Sequence, residues 1–185
     1  MKIIPLTADH PDVPVIKKLF EDSFPPNERT MDMDTIITFI GKSPITLLGV
    51  YPDETPDELA GFFVTVEGDP NVYLVYLAIL PEKRSGGIGG KAMNSMRDYY
   101  AGKTLWFSYE SPFEECDNLE QRERRRNLYL RLGFLETGWY ARLNGTEFIL
   151  ACSEENFDIA SFEQFFGTIA AGAGAGEVPK LYRKD

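Results

Sequence analysis

Residues 80–90 read LPEKRSGGIGG, placing four glycines and an arginine between an apolar run and a helical-looking one. Residues of these types could hold a phosphate. Glycine lets the main chain come close to a ligand and adopt positive φ, and the N–H groups of such a loop can wrap an anion. The alternative is an ordinary glycine-rich surface turn. A nucleotide-triphosphate loop, G-x-x-x-x-G-K-[ST], is excluded: Gly86, Gly90 and Lys91 are spaced one residue too close, and Ala92 replaces the magnesium-binding hydroxyl. The dinucleotide fingerprint fits better locally. Gly87, Gly89 and Ala92 match G-x-G-x-x-[GA], and Glu110 lies about twenty residues on, where a ribose-binding acid would sit. That fingerprint opens a chain of several strand–helix–strand units. Here one helix, one strand, one helix and a hairpin follow, too few for a doubly wound sheet, so an NAD-dependent oxidoreductase is the lesser alternative.

Other reactive residue types are sparse. His10, the only histidine, sits among prolines early in the chain and reads as a helix-start surface residue. Cys116 and Cys152 have no metal-ligand spacing, so neither a disulfide framework nor a zinc site is expected. The run Arg122, Arg124, Arg125, Arg126 reads as the solvated face of a helix, or as a contact for a phosphate or an acidic partner. Nineteen basic against 29 acidic residues give a net charge of −10, which argues against nucleic acid, since phosphate neutralisation needs a basic face. The N-terminal stretch lacks an apolar core long enough for a signal peptide. The longest apolar run, Val72 to Leu80, is nine residues, too short to span a membrane as a helix. A reduced, cytoplasmic protein without a membrane partner is therefore expected.

The elements that must carry the glycine loop can be read from periodicity and breakers. KIIPLT is a first strand, and DHPDVPVIKKLFEDSF a helix with Val15, Ile16, Leu19 and Phe20 inward, ended by Pro25 and Pro26. Thr30 is expected to cap a second helix with Ile36, Ile37 and Ile40 buried and Gly41 as its stop. ITLLGVYP and ELAGFFVTVEG are strands joined by an acidic turn, and NVYLVYLAIL is a central strand covered on both faces. The loop then opens a helix whose stripe is Ile88, Ala92, Met96 and Tyr99. After the strand KTLWFSYE comes a basic helix ending at Gly133. Asn144-Gly145 marks a hairpin, FDIASFEQFFGTI a last helix, and AAGAGAG a flexible linker. The order predicts one mixed α/β sheet with a parallel crossover around the loop.

With the upstream arginine included, the loop reads Arg84-x-x-Gly87-x-Gly89 after a strand ending LAILPEK. It resembles the acetyl-CoA pyrophosphate loop of the GNAT superfamily of N-acetyltransferases. NLYLRLGF, with Tyr129 four residues before Gly133-Phe134, resembles the second signature of that family, Y-x-x-x-G-F. The likeness in element order covers residues 1 to about 153, as an acetyltransferase domain, and leaves 154–185 as a C-terminal helix and Gly/Ala-rich tail. The resemblance implies a mixed, mostly antiparallel central sheet with one splayed parallel strand pair and flanking helices. It implies acetyl-CoA as co-substrate, bound by Arg84, Ser85, Gly86, Gly87, Ile88, Gly89 and Gly90 and by main-chain groups of Leu77, Ala78 and Ile79. It implies direct acetyl transfer to the primary amine of a small molecule or peptide, and is compatible with a homodimer. Tyr129 matches the residue that protonates the leaving sulfur. For the base, the acid that some members carry on the strand before the loop is missing. Glu110, at the end of the next strand, is the first candidate, Glu28 a weaker one, and relay by water a third. Many members carry an asparagine coenzyme contact seven residues before the tyrosine, where this chain has Arg122. A noncatalytic coenzyme A-binding module is the alternative within the same fold.

Overall fold

The strands are β1 (Lys2–Pro5), β2 (Ile45–Tyr51), β3 (Gly61–Glu67), β4 (Asn71–Ile79), β5 (Thr104–Glu110), β6 (Leu135–Leu143), β7 (Thr146–Cys152) and β8 (Tyr182–Arg183). The helices are α1 (Val13–Ser23), α2 (Met33–Phe39), α3 (Ile88–Tyr99), α4 (Leu119–Arg131) and α5 (Ile159–Gly172). These elements come from a computed structural model that describes residues 1–26, 29, 31–84, 86–172 and 180–184. Among the described residues, all eight strands join one sheet in the order β1-β2-β3-β4-β5-β7-β6-β8. Every pairing is antiparallel except β4 with β5. The expected mixed, mostly antiparallel sheet with one parallel pair and flanking helices is therefore the fold found.

Side-chain alternation sorts the helices onto two faces. On one face, Ala92, Met93 and Met96 of α3 pack with Leu105, Phe107 and Tyr109 of β5, and Tyr129 of α4 lies against the same cluster. On the other, Ile16, Leu19 and Phe20 of α1 and Met33 and Ile36 of α2 cover β2, β3 and part of β4. Phe162 of α5 stacks on Trp106 on this second face, with ring centroids 4.3 Å apart. Several inward positions differ from the periodicity reading. Val15 and Tyr99 are exposed, and their neighbours Val13 and Tyr100 are buried instead. The second helix is capped by Asp32, whose carboxylate accepts from Thr35 N at 2.7 Å, and Thr30 lies outside the described residues. The hairpin turn is as expected: Asn144 (φ 48°) and Gly145 (φ 85°) take the left-handed conformation that such a two-residue turn requires.

The C-terminal region is built into the sheet. Asn71 links β4 to both β5 and α5, accepting from Trp106 Nε1 at 2.8 Å and donating to Ser161 Oγ at 2.9 Å. Beyond α5 the chain returns as β8, with Tyr182 opposite Tyr140 and Arg183 opposite Trp139 of β6. Residues 182–183, expected in a flexible tail, thus extend the sheet by one strand. Most of the AAGAGAG stretch lies outside the described residues.

Candidate active site

The parallel pair opens partway along its length. β4 and β5 are paired from Asn71–Thr104 to Leu74–Phe107 and no further. At that point the β3–β4 register shifts, with Val64 opposite Tyr76 and Thr65 opposite Leu74, so Val75 is an extra residue on β4. Such a bulge bends its strand and sharpens its twist, turning β4 away from β5. The hydroxyls of Tyr73 and Ser108 meet at 2.7 Å across the crotch of this fork. Burial lifts the Tyr73 hydroxyl to about 12, so it remains a neutral bridge. A cleft of about 1190 Å³ fills the opening and is lined from both strands, from α1, α4 and α5, and from residues 180–182.

Main-chain groups of β4 are left over where the fork opens. Leu80 N donates to Ala60 O at 2.9 Å. Ladder alternation then directs the N–H and C=O of Ala78 to β3 and those of Leu77 and Ile79 into the cleft. Of the three main-chain positions expected to hold a ligand, Ala78 is therefore committed to the sheet. Leu77 and Ile79 are presented to the opening. Ile79 O accepts from Arg84 Nε at 3.0 Å, which folds Arg84 over the strand end and leaves its two Nη groups without a described partner.

The glycine loop leads directly into α3. Its N-cap is Gly87 at φ 74°, with no side-chain cap and no acid in the first turn. The N–H groups of Ile88, Gly89 and Gly90 therefore have no partner within the helix, and the positive end of the helix dipole is uncompensated. A Cβ placed on Gly86, Gly87 or Gly89 would meet nothing within 4 Å, so these positions border open space. Gly90 differs: its Cβ would sit in ordinary contact with Leu128 of α4, 3.5 Å away, so this position faces α4 and not open space. Ser85 lies outside the described residues. Bare, uncapped donors beside an arginine at the end of a forked strand fit a diphosphate and an extended amide-bearing chain, as coenzyme A has.

Tyr129 lines the cleft from α4 and packs its ring on Phe107, with centroids 4.7 Å apart, and on Tyr109 at 5.1 Å. No described residue hydrogen-bonds its hydroxyl. Burial pushes its pKa up, opposed by the nearby Arg125 charge, so it holds its proton. Its neighbour Tyr109 is instead tied up, donating to Glu136 Oε1 at 2.5 Å.

Glu110 is also at the cleft, in a setting that does not suit a base. It is 8% exposed, with Arg122 Nη2 3.0 Å from one oxygen and Arg125 Nη1 3.0 Å from the other. Arg122 further donates to Ser111 O at 3.0 Å and Asn118 Oδ1 at 2.8 Å. Both Glu110 oxygens are thus engaged in ion pairs that tie β5 to α4, and an incoming ammonium would have to compete with two guanidinium groups for them. The arginine run is correspondingly not a uniform solvated face. Arg122 is buried, Arg126 pairs with Glu136 at 2.6 Å, and only Arg124 lies fully at the surface, beside Glu120. Glu28 lies outside the described residues. His10 accepts from Asp12 N at 3.2 Å near the start of α1 and does not line the cleft. Among the described residues no cluster of His, Cys, Asp or Glu could hold a metal, and no helix is long and apolar enough to cross a membrane. The features that sequence reasoning missed are the Val75 bulge, the Tyr73–Ser108 bridge and the cleft wall formed by residues 180–182.

No protein-family model and no curated protein matches the sequence. Solved structures do match. A Bacteroides thetaiotaomicron protein assigned to the GNAT acetyltransferase family superposes with a TM-score of 0.75 over 96% of this chain and 99% of its own, at 20% identity. An aminoglycoside 6′-N-acetyltransferase complexed with coenzyme A gives 0.64 over 85% and 100%, at 17% identity. A spermidine N-acetyltransferase chimera from Vibrio cholerae gives 0.63 over 82% and 95%, at 14% identity. The forked mixed sheet, with α3 springing from the end of its splayed strand, is the fold of the GNAT acetyltransferases.

Proposed function

We propose that this protein is an N-acetyltransferase that transfers the acetyl group of acetyl-CoA to the primary amine of a small molecule or peptide. The observation that carries the reading is the fork itself. It is an opening through an otherwise hydrogen-bonded sheet, with the bare start of α3 and the Tyr129 hydroxyl, which has no partner among the described residues, on one face. Coenzyme A seen on a structural neighbour supports the same assignment.

When bound, the co-substrate supplies an acetyl thioester. Arg84 and the amides of Gly87, Ile88, Gly89 and Gly90 hold its diphosphate, each charge-assisted bond contributing roughly 1.5–3 kcal/mol. Leu77 and Ile79 orient the amide-bearing arm along β4. The amine arrives through the opposite face and loses a first proton to water in the open cleft. As its nitrogen bonds to the acetyl carbon, the carbon–sulfur bond breaks. Tyr129 gives its proton to the departing sulfur, and the second proton released by the nitrogen restores the phenol. Glu110 acts in this scheme as a positioning residue, holding α4, and hence Tyr129, against β5.

Calorimetric titration of the purified protein with coenzyme A and with NAD tests the assignment. Binding of coenzyme A without NAD is expected, together with thiol release when acetyl-CoA and an amine are both supplied. Binding of NAD alone overturns the reading. Binding of coenzyme A without thiol release for any amine reduces the protein to a coenzyme-binding module.

A further inference from the structure

The acceptor's chemistry can be read from the cleft on the face opposite Tyr129, and this inference rests on the acetyltransferase assignment. Two walls meet there. Phe24, Met31 and Tyr76 form one, with Phe24 and Tyr76 in edge contact at 4.9 Å. Phe148 of β7, Phe166 of α5 and Leu181, the residue before β8, form the other. Phe166 also packs on Tyr73 at 5.1 Å, so the aromatic lining runs down to the crotch of the fork.

The second wall is fixed in place by the C-terminal strand. Glu147, 2% exposed, accepts from Tyr182 Oη at 2.8 Å and from Lys184 Nζ at 2.7 Å. Arg183 lies over the Trp139 ring at 5.2 Å. These contacts follow directly on Leu181, which packs against the cluster of Trp106 and Phe162.

Charge sharpens the picture. Among the described residues only two carboxylates line the cleft, and both are already paired: Asp22 with Lys18 at 2.7 Å, and Glu110 with two arginines. Five basic groups line it as well: Arg125 and Arg142 are themselves paired, with Glu110 and Glu114, while Arg29, Arg84 and Lys180 have no carboxylate partner among the described residues. This reverses the balance of a chain whose net charge is −10. A polycation entering such a cleft would shed water from its ammonium groups among these basic side chains, and the carboxylates it could meet among the described residues are already engaged. An amine on an apolar body would instead bury that body against aromatic walls and bring a single ammonium to the fork.

We infer that the acceptor is a monoamine on an apolar or aromatic body, selected by Phe166 and Leu181, and not a polyamine or aminoglycoside. The test compares 2-phenylethylamine, spermidine and kanamycin as acceptors by thiol release, with the Kd for coenzyme A measured in parallel. The expected result is a kcat/KM for 2-phenylethylamine at least about tenfold above the other two, the scale on which an apolar pocket discriminates. Leu181→Asp should lower that value by about tenfold, through KM, while the coenzyme Kd stays within about twofold. Leu181→Ala, gentler on folding, should lower it less and in the same direction. Coenzyme binding with spermidine or kanamycin preferred, or with no turnover of 2-phenylethylamine, overturns this inference and leaves the acetyltransferase assignment to its own test. Equal turnover in the Leu181 variants removes the role given to β8. Failure to bind coenzyme A at all sinks the assignment beneath it.

Discussion

Tyr129 and Glu110 are both ionisable, both at the fork, and differ in what surrounds them. The Tyr129 hydroxyl has no partner among the described residues, its ring lies against three aromatic rings, and burial raises its pKa above the ordinary 10.0. Glu110 has two guanidinium partners at 3.0 Å. A proton donor needs the first environment, and a clamp needs the second. Tyr129→Phe is therefore expected to lower kcat by about a hundredfold, the usual share of one acid–base group, with the coenzyme Kd within about twofold. The wild-type kcat should keep its alkaline plateau beyond pH 10, since the phenol loses its proton only above that value. Stopped thiol-release assays across pH check both. Sequence reading proposed both residues for catalysis; both line the cleft, and the arginines that engage Glu110, 12 and 15 residues along the chain, have no local signal in the sequence.

At the level of elements, two local irregularities make the site. The Val75 bulge separates β4 from β5, and the left-handed Gly87 starts α3 without a cap. Gly87→Ala isolates the second. Its Cβ meets open space, so the substitution costs about 1 kcal/mol through the positive φ and little through packing. It also places a methyl group beside the amides offered to the diphosphate. A several-fold weaker coenzyme Kd by calorimetry, with a fall in Tm of only a few degrees, is the expected pair of results. A large loss of stability with unchanged affinity would mean that the loop serves folding, not binding.

The whole molecule depends on carboxylates that join distant parts of the chain. Burial alone would raise the pKa of Glu147, but hydrogen bonds from Lys184, Tyr182 and Ser111 outweigh it and hold it below the usual 4.5. Glu136 follows the same pattern, with burial opposed by Arg126 and Tyr109. A carboxylate whose folded pKa is depressed adds stability above its unfolded value, and that stability is lost as pH falls through the folded one. Thermal unfolding should therefore show a Tm that is flat near neutrality and falls from about pH 4.5 downward. Glu147→Gln should lower stability at pH 7 by about 1–2 kcal/mol, since its lysine partner is half exposed. It should also make the acid fall shallower.

What the sequence by itself determined is what short-range physics controls. The order of strands and helices follows from periodicity and breakers, the Asn144-Gly145 turn from two residues that tolerate positive φ, and the bare loop from glycines adjacent in the chain. What only the tertiary structure decided depends on which distant segments lie side by side. Val75 becomes a bulge only against the register of β3, and the main-chain N–H and C=O of Ala78, which lines the cleft, are unavailable to a ligand only because β3 claims them. Glu110 meets its arginines only once α4 folds back on β5, and residues 180–182 become a wall only when Glu147 of β7 is there to hold Tyr182 and Lys184. Pairing across the sheet has no local signature, because the energy that fixes it comes from contacts between residues far apart in sequence.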